Sequence, residues 1–260
     1  MPRDYRFMLS DFPSGIVERT AHRPWPLPQS PWLMTQSWHN LLFAHWRVDA
    51  RLLQERLPAG LLLDTFNGEA WVGVVPFRMT NVAPRGVPAL PLVSSFLELN
   101  VRTYVRVQGK PGVYFFSLDA NSALAVAAAR ALFHLPYFVA SMNVEEQHGQ
   151  FVYTSSRQTQ AGGVAEFAAT YGPVGYAVMP EPGSLEHFLT ERYCLYTVDS
   201  ASRLRRLEIH HPPWPLQTAE ATIAVNTMTE VAGIRLPSRA PLLHFAKRQD
   251  VFAWSLTDAT

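Results

Sequence analysis

The chain has 260 residues, 48% of them hydrophobic, and a formal net charge of +1 at pH 7. This length allows one large hydrophobic core, and a nearly neutral chain gives no electrostatic case for nucleic-acid binding. No run of 18 apolar residues predicts a membrane-spanning helix. Cys194 is the only cysteine, which excludes an intramolecular disulfide framework and favours a reducing, cytoplasmic location.

The N-terminal segment, residues 1–31, is polar and rich in proline. Proline fixes its own φ angle and lacks an amide hydrogen, so this composition predicts an extended course. We expect an arm that lies on the rest of the molecule or on a neighbouring subunit, with disorder as the alternative. Residues 32–260 are predicted to form a single domain.

Two elements are predicted between residues 49 and 79. Residues 49–57 (DARLLQERL) have the apolar spacing of an amphipathic helix, which Pro58 and Gly60 would end. Residues 70–79 are predicted to form a strand that carries Arg78.

Residues 96–107 (FLELNVRTYVRV) alternate regularly and predict a long strand. The odd positions are apolar or β-branched, whereas the even positions include Glu98, Asn100 and Arg102. Successive side chains point to opposite faces of a strand, so these three line one face at a spacing of roughly 6.5–7 Å. Two interpretations stay open. The face is either a solvated outer surface or the interior of a barrel that holds a polar ligand.

A turn, a buried strand and a helix follow this strand. Lys110-Pro111-Gly112 supplies turn residues, and residues 113–118 (VYFFSL) are apolar on both faces, as in a central strand. Residues 122–133 are rich in alanine and predict a helix that packs against the sheet. We expect His134-Leu135-Pro136 to end it, because proline disfavours helical geometry in the preceding residue.

The C-terminal half predicts further strands and one short helix. A hairpin over residues 144–157 is expected to turn at His148-Gly149. The remaining predicted elements are a helix at 184–191 and strands at 193–199, 204–211 and 241–256.

The segment GVYFFSLDANSALAVAAARALFHLPYF resembles the acetoacetate decarboxylase superfamily, and most closely its uncharacterised YqjF-like branch. The similarity extends upstream through WHNLLFAHWRVDARLLQERLPAGLLLDTFNGEAWVGVVPFRM and FLELNVRTYV, and covers about residues 32–145. The resemblance implies an α+β fold, dominated by a cone-shaped, partly closed antiparallel β-barrel with a central cavity and a few flanking helices.

Carrying the decarboxylase chemistry over gives a mixed result. Glu98 falls where the decarboxylases have a cavity glutamate, and His39 where they have an arginine. Their Pro-Lys-Lys turn, whose first lysine forms the Schiff base, reads Pro136-Tyr137-Phe138 here. The chain has only two lysines, Lys247 and Lys110, and Lys110 is expected in an exposed turn. Without an amine at this place there is no iminium electron sink, so acetoacetate decarboxylation is not expected.

The leading hypothesis is therefore a polar cavity that binds a small carboxylate or carbonyl ligand without a Schiff-base lysine. If the protein is an enzyme, lyase-like or proton-transfer chemistry is expected. In this hypothesis Glu98 exchanges a proton, Arg102 holds a carboxylate or enolate, and Tyr137 donates a hydrogen bond. The candidate catalytic residues are Glu98, Tyr137 and His39; the candidate ligand-binding residues are Arg102, Asn100, Arg78 and His134.

Each candidate also has a structural interpretation. Glu98 and Arg102 could form a structural salt bridge, and the whole chain could be a scaffold or protein-interaction protein with a vestigial cavity. A homo-oligomer is compatible with either function. No cofactor is predicted. No metal is predicted either, because His210 and His211 are adjacent and would point to opposite faces of a strand.

Overall fold

The computed structural model describes residues 12–89 and 94–259. The helices are α1 (Ala50–Gln54), α2 (Ala123–Phe133) and α3 (Leu185–Thr190), with short 3-10 helices at Ser14–Glu18 and Glu230–Ala232. The strands are β1 (Met34–Val48), β2 (Leu62–Leu63), β3 (Ala70–Pro84), β4 (Phe96–Val107), β5 (Lys110–Ala120), β6 (Tyr137–Val139), β7 (Ser141–Gln147), β8 (Gln150–Gln158), β9 (Val164–Val178), β10 (Cys194–Val198), β11 (Leu204–His210), β12 (Leu216–Asn226), β13 (Leu242–Ala253) and β14 (Thr257–Asp258).

The sheet closes on itself as a ring of strands in the order β1-β3-β4-β5-β10-β11-β13 and back to β1. All of these neighbours are antiparallel except β5 and β10, which run parallel. The predicted α+β fold dominated by antiparallel strands is confirmed. The long strand β13 completes the ring, because it pairs with β1 along its length and with β11 at its end.

A second layer continues from the ring and covers one side of its wall. Strand β13 also pairs with β12, and the order β12-β9-β8-β7 follows outward from there. The odd positions of β4, such as Leu99 and Val101, pack in one buried cluster with Tyr153 and Phe167 of this layer. The Tyr153 hydroxyl also donates to the carbonyl of Glu98 at 2.9 Å. The outer layer therefore holds β4 in place at the position of Glu98.

The predicted helices form at shorter lengths. Helix α1 ends at Gln54 rather than at residue 57. In α2, the Ser122 hydroxyl accepts from the amide of Ala125, and His134 ends the helix in the left-handed conformation with φ of 50°. The hairpin turn is confirmed at His148 and Gly149, whose φ angles are 52° and 79°.

The described part of the N-terminal segment, residues 12–33, lies on the ring of its own chain. It is not extended throughout, since it begins with the 3-10 helix. Ile16 packs with Phe252 and Trp254. Arg23 and Trp25 donate to the Glu208 carboxylate at 3.2 and 2.9 Å. Residues 1–11 of the predicted arm lie outside the described residues, and the boundary of the arm at residue 31 stays a prediction.

Replacing Glu208 with glutamine is expected to release this segment. The carboxylate is 8% exposed and also accepts from Lys110 at 2.8 Å, so its loss leaves buried donors poorly paired at a cost of about 1–3 kcal/mol. Trypsin should then cleave the folded variant after Arg19 of this segment, which precedes Thr20, faster than the wild type. The control is Glu220→Gln, at an exposed site on β12. Equal cleavage rates in the two variants would contradict the anchoring role.

Candidate functional site

Glu98 and Tyr137 meet inside the ring. Tyr137 lies in the short strand β6, which pairs in parallel with β5, and β5 in turn pairs with β4. The Tyr137 hydroxyl donates to Oε2 of Glu98 at 2.6 Å. Both residues are buried, at 2% and 7% exposure. Tyr137 thus presents a phenol to the buried carboxyl of Glu98.

Burial governs the protonation of this pair. It raises the pKa of Glu98 from 4.5 to about 7; hydrogen bonds from Tyr137 and Asn100 oppose the rise, and the charge of Asp119 adds to it. The pKa of Tyr137 is raised well above its usual value by burial and by the neighbouring Glu98 charge. Within the described residues, no basic side chain forms an ion pair with Glu98. The carboxyl therefore exists in both protonation states near neutral pH, while the phenol stays protonated.

The polar row on β4 faces the ring interior. Glu98, Asn100 and Arg102 are 2%, 4% and 9% exposed, so the face is not a solvated outer surface. The Asn100 Oδ1 and Arg102 Nε atoms are buried and have no hydrogen-bond partner among the described residues. Interiors rarely leave such atoms unpaired. This row therefore makes the interior polar along β4.

Arg102 is held at the other end of the row from Tyr137. Its Nη2 donates to the carbonyl of Leu189 at 3.3 Å and to the Tyr104 hydroxyl at 3.4 Å. Its guanidinium carbon lies 5.2 Å from the centroid of the Phe43 ring. The salt bridge with Glu98 that the sequence left open is therefore not formed. The guanidinium is fixed by a tyrosine and by α3 instead.

His39 and Arg78 lie on the opposite face of the ring wall. They are cross-strand partners, and Arg78 is in turn opposite Leu97, whose side chain packs against the outer layer. Nε2 of His39 lies 2.8 Å from the Thr80 hydroxyl. Burial and the charges of Arg248 and Arg78 lower the pKa of His39 to about 4, against a smaller opposing effect of Asp250. The structure does not bring His39 and Arg78 together with Glu98 and Tyr137.

A backbone irregularity in β1 explains which histidine faces inward. Asn40 has a φ of 54°, and the pairing of β1 with β3 shifts register between His39 and Ala44. The shift reverses the alternation, because one extra residue turns the following side chains to the other face. His45 consequently faces the interior, where its Nε2 lies 2.7 Å from the Tyr104 hydroxyl. Sequence alternation alone places His39 and His45 on one face of the strand. The only signal in the sequence for the register shift is Asn40, because asparagine tolerates a positive φ.

The remaining predicted residues lie away from Glu98. His134 is exposed, and its carbonyl accepts from the Thr197 hydroxyl at 2.6 Å. The expectation that Lys110 lies in an exposed turn is wrong. Its side chain is half-buried and donates to Glu208. Lys247 is exposed. Neither lysine amine contacts the Glu98–Tyr137 pair.

A surface cavity of about 320 Å³ lies between the end of β9, α3 and β12. Its lining includes Tyr176, Glu186, Leu216 and His244, and none of the residues predicted from the sequence. Within the part of the chain that the structure describes, no three His, Cys, Asp or Glu side chains are placed to hold a metal ion. No helix among those same residues combines the length and the apolar character that a membrane span requires.

Comparisons with known proteins agree with this fold. The uncharacterized protein YqjF of Bacillus subtilis (strain 168) is 47% identical over 241 residues, which are 93% of this chain and 98% of that protein. The acetoacetate decarboxylase of Legionella pneumophila is structurally similar, with a TM-score of 0.61 at 14% identity over 95% of this chain and 97% of that one.

The enduracididine biosynthesis enzyme MppR, solved with the condensation product of pyruvate and imidazole 4-carboxaldehyde, also has a TM-score of 0.61. It is 12% identical, over 89% of this chain and 90% of that one. At these identities the two structures establish the fold alone. The DUF2071 family, described as an uncharacterized conserved protein, matches residues 35–250. The chain belongs to the DUF2071 family and has an acetoacetate decarboxylase-like fold.

Proposed function

We propose that the ring interior binds a small carboxylate or carbonyl compound and that Glu98 exchanges a proton with it. The supporting observation is a fully buried carboxyl whose pKa lies near 7 and which has no cationic partner among the described residues. A general acid or base acts best when its pKa is close to the working pH. A purely structural glutamate at this depth would be expected to have a basic partner.

Tyr137 contacts only one of the two carboxyl oxygens of Glu98. Its hydroxyl occupies Oε2, at 2.6 Å, and orients the carboxyl. The carboxyl is also hydrogen-bonded by Asn100. Through Oε1, which Tyr137 does not contact, it gives a proton to a bound carbonyl oxygen or takes one from an adjacent carbon. This chemistry needs no amine, which fits a chain in which tyrosine stands where the decarboxylases have a lysine. Proton transfer or a related lyase reaction is the class that we propose.

Arg102 is proposed to hold the anionic end of the ligand. Its Nε is unpaired among the described residues, and the Asn100 Oδ1 atom between it and Glu98 is unpaired too. Arg102 and Glu98 are four residues apart on one strand, roughly 13 Å between Cα atoms. The ligand therefore carries its carboxylate several bonds away from the carbonyl. The names of two structural neighbours, an acetoacetate decarboxylase and an enzyme solved with a pyruvate condensation product, support a ligand that has both a carboxylate and a carbonyl group.

A thermal-shift screen with small oxo acids and simple carboxylic acids tests this proposal. Selective binding to the folded state must raise its stability, by about 2.7 kcal/mol at 100 times the dissociation constant. We expect Arg102→Gln to remove the stabilisation by the best acid. Arg78→Gln is the matched control, because it removes the same charge from the other face of the wall. Retained stabilisation in Arg102→Gln, or no stabilising acid at all, would contradict an anion site in the ring.

A second candidate function is that of an interaction protein, as the sequence left open. The end of β9 exposes apolar side chains, with Val174, Tyr176 and Val178 at 42%, 94% and 67% exposure. Beyond Tyr171 this strand pairs with β12 but no longer with β8. The acid screen decides between the candidates, because a scaffold would not be stabilised by any small acid. A homo-oligomer and a cytoplasmic location stay predictions.

A further inference from the structure

A buried polar cluster lies at the α3 end of the ring interior. It consists of His45, Arg102, Tyr104 and the carbonyl of Leu189. Tyr104 Oη lies 2.8 Å from the Leu189 oxygen, 2.7 Å from His45 Nε2 and 3.4 Å from Arg102 Nη2. Tyr104 is fully buried and His45 is 1% exposed. Two side chains of β4, Tyr104 and Arg102, thus bond one backbone oxygen, and His45 of β1 contacts the hydroxyl of Tyr104.

The hydrogen-bond pattern assigns the protons in this cluster. The carbonyl of Leu189 can only accept, so the single hydroxyl proton of Tyr104 is donated to it. The oxygen of Tyr104 must then accept from His45, and Nε2 of the imidazole carries the hydrogen. Burial and the charges of Arg102 and His244 lower the pKa of His45 well below its usual value, so the ring is neutral. Nδ1 consequently carries no hydrogen, and its lone pair can accept a hydrogen bond.

Two complementary atoms of this cluster are left unpaired. His45 Nδ1, an acceptor, and Arg102 Nε, a donor, are both buried and have no hydrogen-bond partner among the described residues. Leaving a buried polar atom unpaired destabilises the folded state by about 1–3 kcal/mol. Two such atoms in one cluster therefore indicate that a ligand pairs with them. Phe43 stacks on this imidazole, with 6.2 Å between the ring centroids.

Gly73 leaves space between His45 and Arg102. It lies between them on β3, as the cross-strand partner of both His45 and Arg102. A Cβ atom at this position would stand 2.9 Å from His45 Nε2 and 3.5 Å from Arg102 Cγ. Any larger residue would push the imidazole away from Tyr104. The glycine therefore leaves the space over β3 that the imidazole of His45 and the side chain of Arg102 occupy.

We propose that His45 and Arg102 form a subsite for a hydroxycarboxylate group, in which Arg102 binds the carboxylate and His45 Nδ1 accepts from the hydroxyl. This subsite deepens the proposed function and rests on it, because it defines the anionic end of the ligand. A carboxylate with no neighbouring hydroxyl satisfies only the guanidinium. The hydroxyl satisfies the second unpaired atom, and so gives the site its selectivity.

Calorimetric titration with propanoate and with 2-hydroxypropanoate tests the subsite. We expect the hydroxy acid to bind the wild type about ten-fold more tightly, and both acids to bind His45→Phe with equal affinity. His187→Phe, a histidine of α3 that contacts neither acid in this proposal, is the control and should keep the ten-fold ratio. A second readout needs no variant: the ¹⁵N resonance of His45 Nδ1 should shift on addition of 2-hydroxypropanoate and not of propanoate.

The outcomes separate this inference from the function on which it rests. Equal affinities in the wild type, or an unchanged ratio in His45→Phe, would overturn the subsite while leaving an anion site at Arg102. Failure of both acids to bind would overturn both proposals. An unshifted Nδ1 resonance in the presence of bound hydroxy acid would remove His45 from the site even if the variant does not fold.

Discussion

Replacing Glu98 with glutamine is expected to stabilise the protein by about 3 kcal/mol above pH 7 and to leave its stability near pH 4 unchanged. The folded-state pKa of the carboxyl is about 7, against 4.5 for the free side chain. A shift of this size corresponds to about 3 kcal/mol. Glutamine keeps an oxygen that can accept from Tyr137 and removes the buried charge. It therefore mimics the protonated form at every pH.

The direction of this pH dependence of stability follows from proton binding. Between pH 4.5 and about 7 the folded state holds a proton on Glu98 that the unfolded chain has released. The contribution of this group is fully present below pH 4.5 and is lost as the pH rises through 7. Urea unfolding of wild type and variant from pH 4 to pH 9 measures it. Glu220→Gln should show no such trend. A difference between Glu98→Gln and wild type that is constant over this range would mean that burial does not perturb the carboxyl.

Replacing Arg157 with methionine is expected to destabilise the protein by about 3–5 kcal/mol. Its Nε donates to Oδ2 of Asp119 at 2.7 Å, and the two side chains are 4% and 0% exposed. Removing one partner leaves the other charge buried and unpaired, which is the costly case for an internal ion pair. The guanidinium carbon also lies 4.2 Å from the centroid of the Phe138 ring. The pair therefore holds the strand that carries Tyr137 as well.

A double-mutant cycle separates the pair from its surroundings. Adding Asp119→Ala to Arg157→Met should cost less than the sum of the single changes, because no lone charge remains. Arg47→Met is the matched control, since the Arg47–Glu69 pair is exposed and should contribute no more than about 1 kcal/mol. If Arg157→Met costs no more than Arg47→Met, the buried pair does not stabilise β6.

The sequence predicts the strand β4 and its polar row because alternation is a local property. Glu98, Asn100 and Arg102 share a face wherever the strand is placed. Whether that face is wet or enclosed depends on ring closure between β1, β11 and β13, which are distant in sequence. The resemblance to the decarboxylases implies an enclosed face, whereas the residues alone leave both a solvated and an enclosed face open.

The arrangement around Arg102 could not be predicted in the same way. Its hydrogen-bond partner, the carbonyl of Leu189, lies 87 residues further along the chain. His45 faces inward only because Asn40 takes a positive φ in the middle of β1. Single-residue irregularities and long-range backbone contacts leave no periodic signal. They decide which of the polar residues share a site.

The closure of the ring by its last long strand has a consequence for synthesis on the ribosome. Met34 at the start of β1 pairs with Ala253 at the end of β13, so nearly the whole chain must emerge before the two meet. Until then β1 presents an unpaired edge to its surroundings, which invites association with other nascent chains. Contacts this distant in sequence also make folding slow. Production of the protein should therefore depend on low temperature or chaperones more than its final stability suggests.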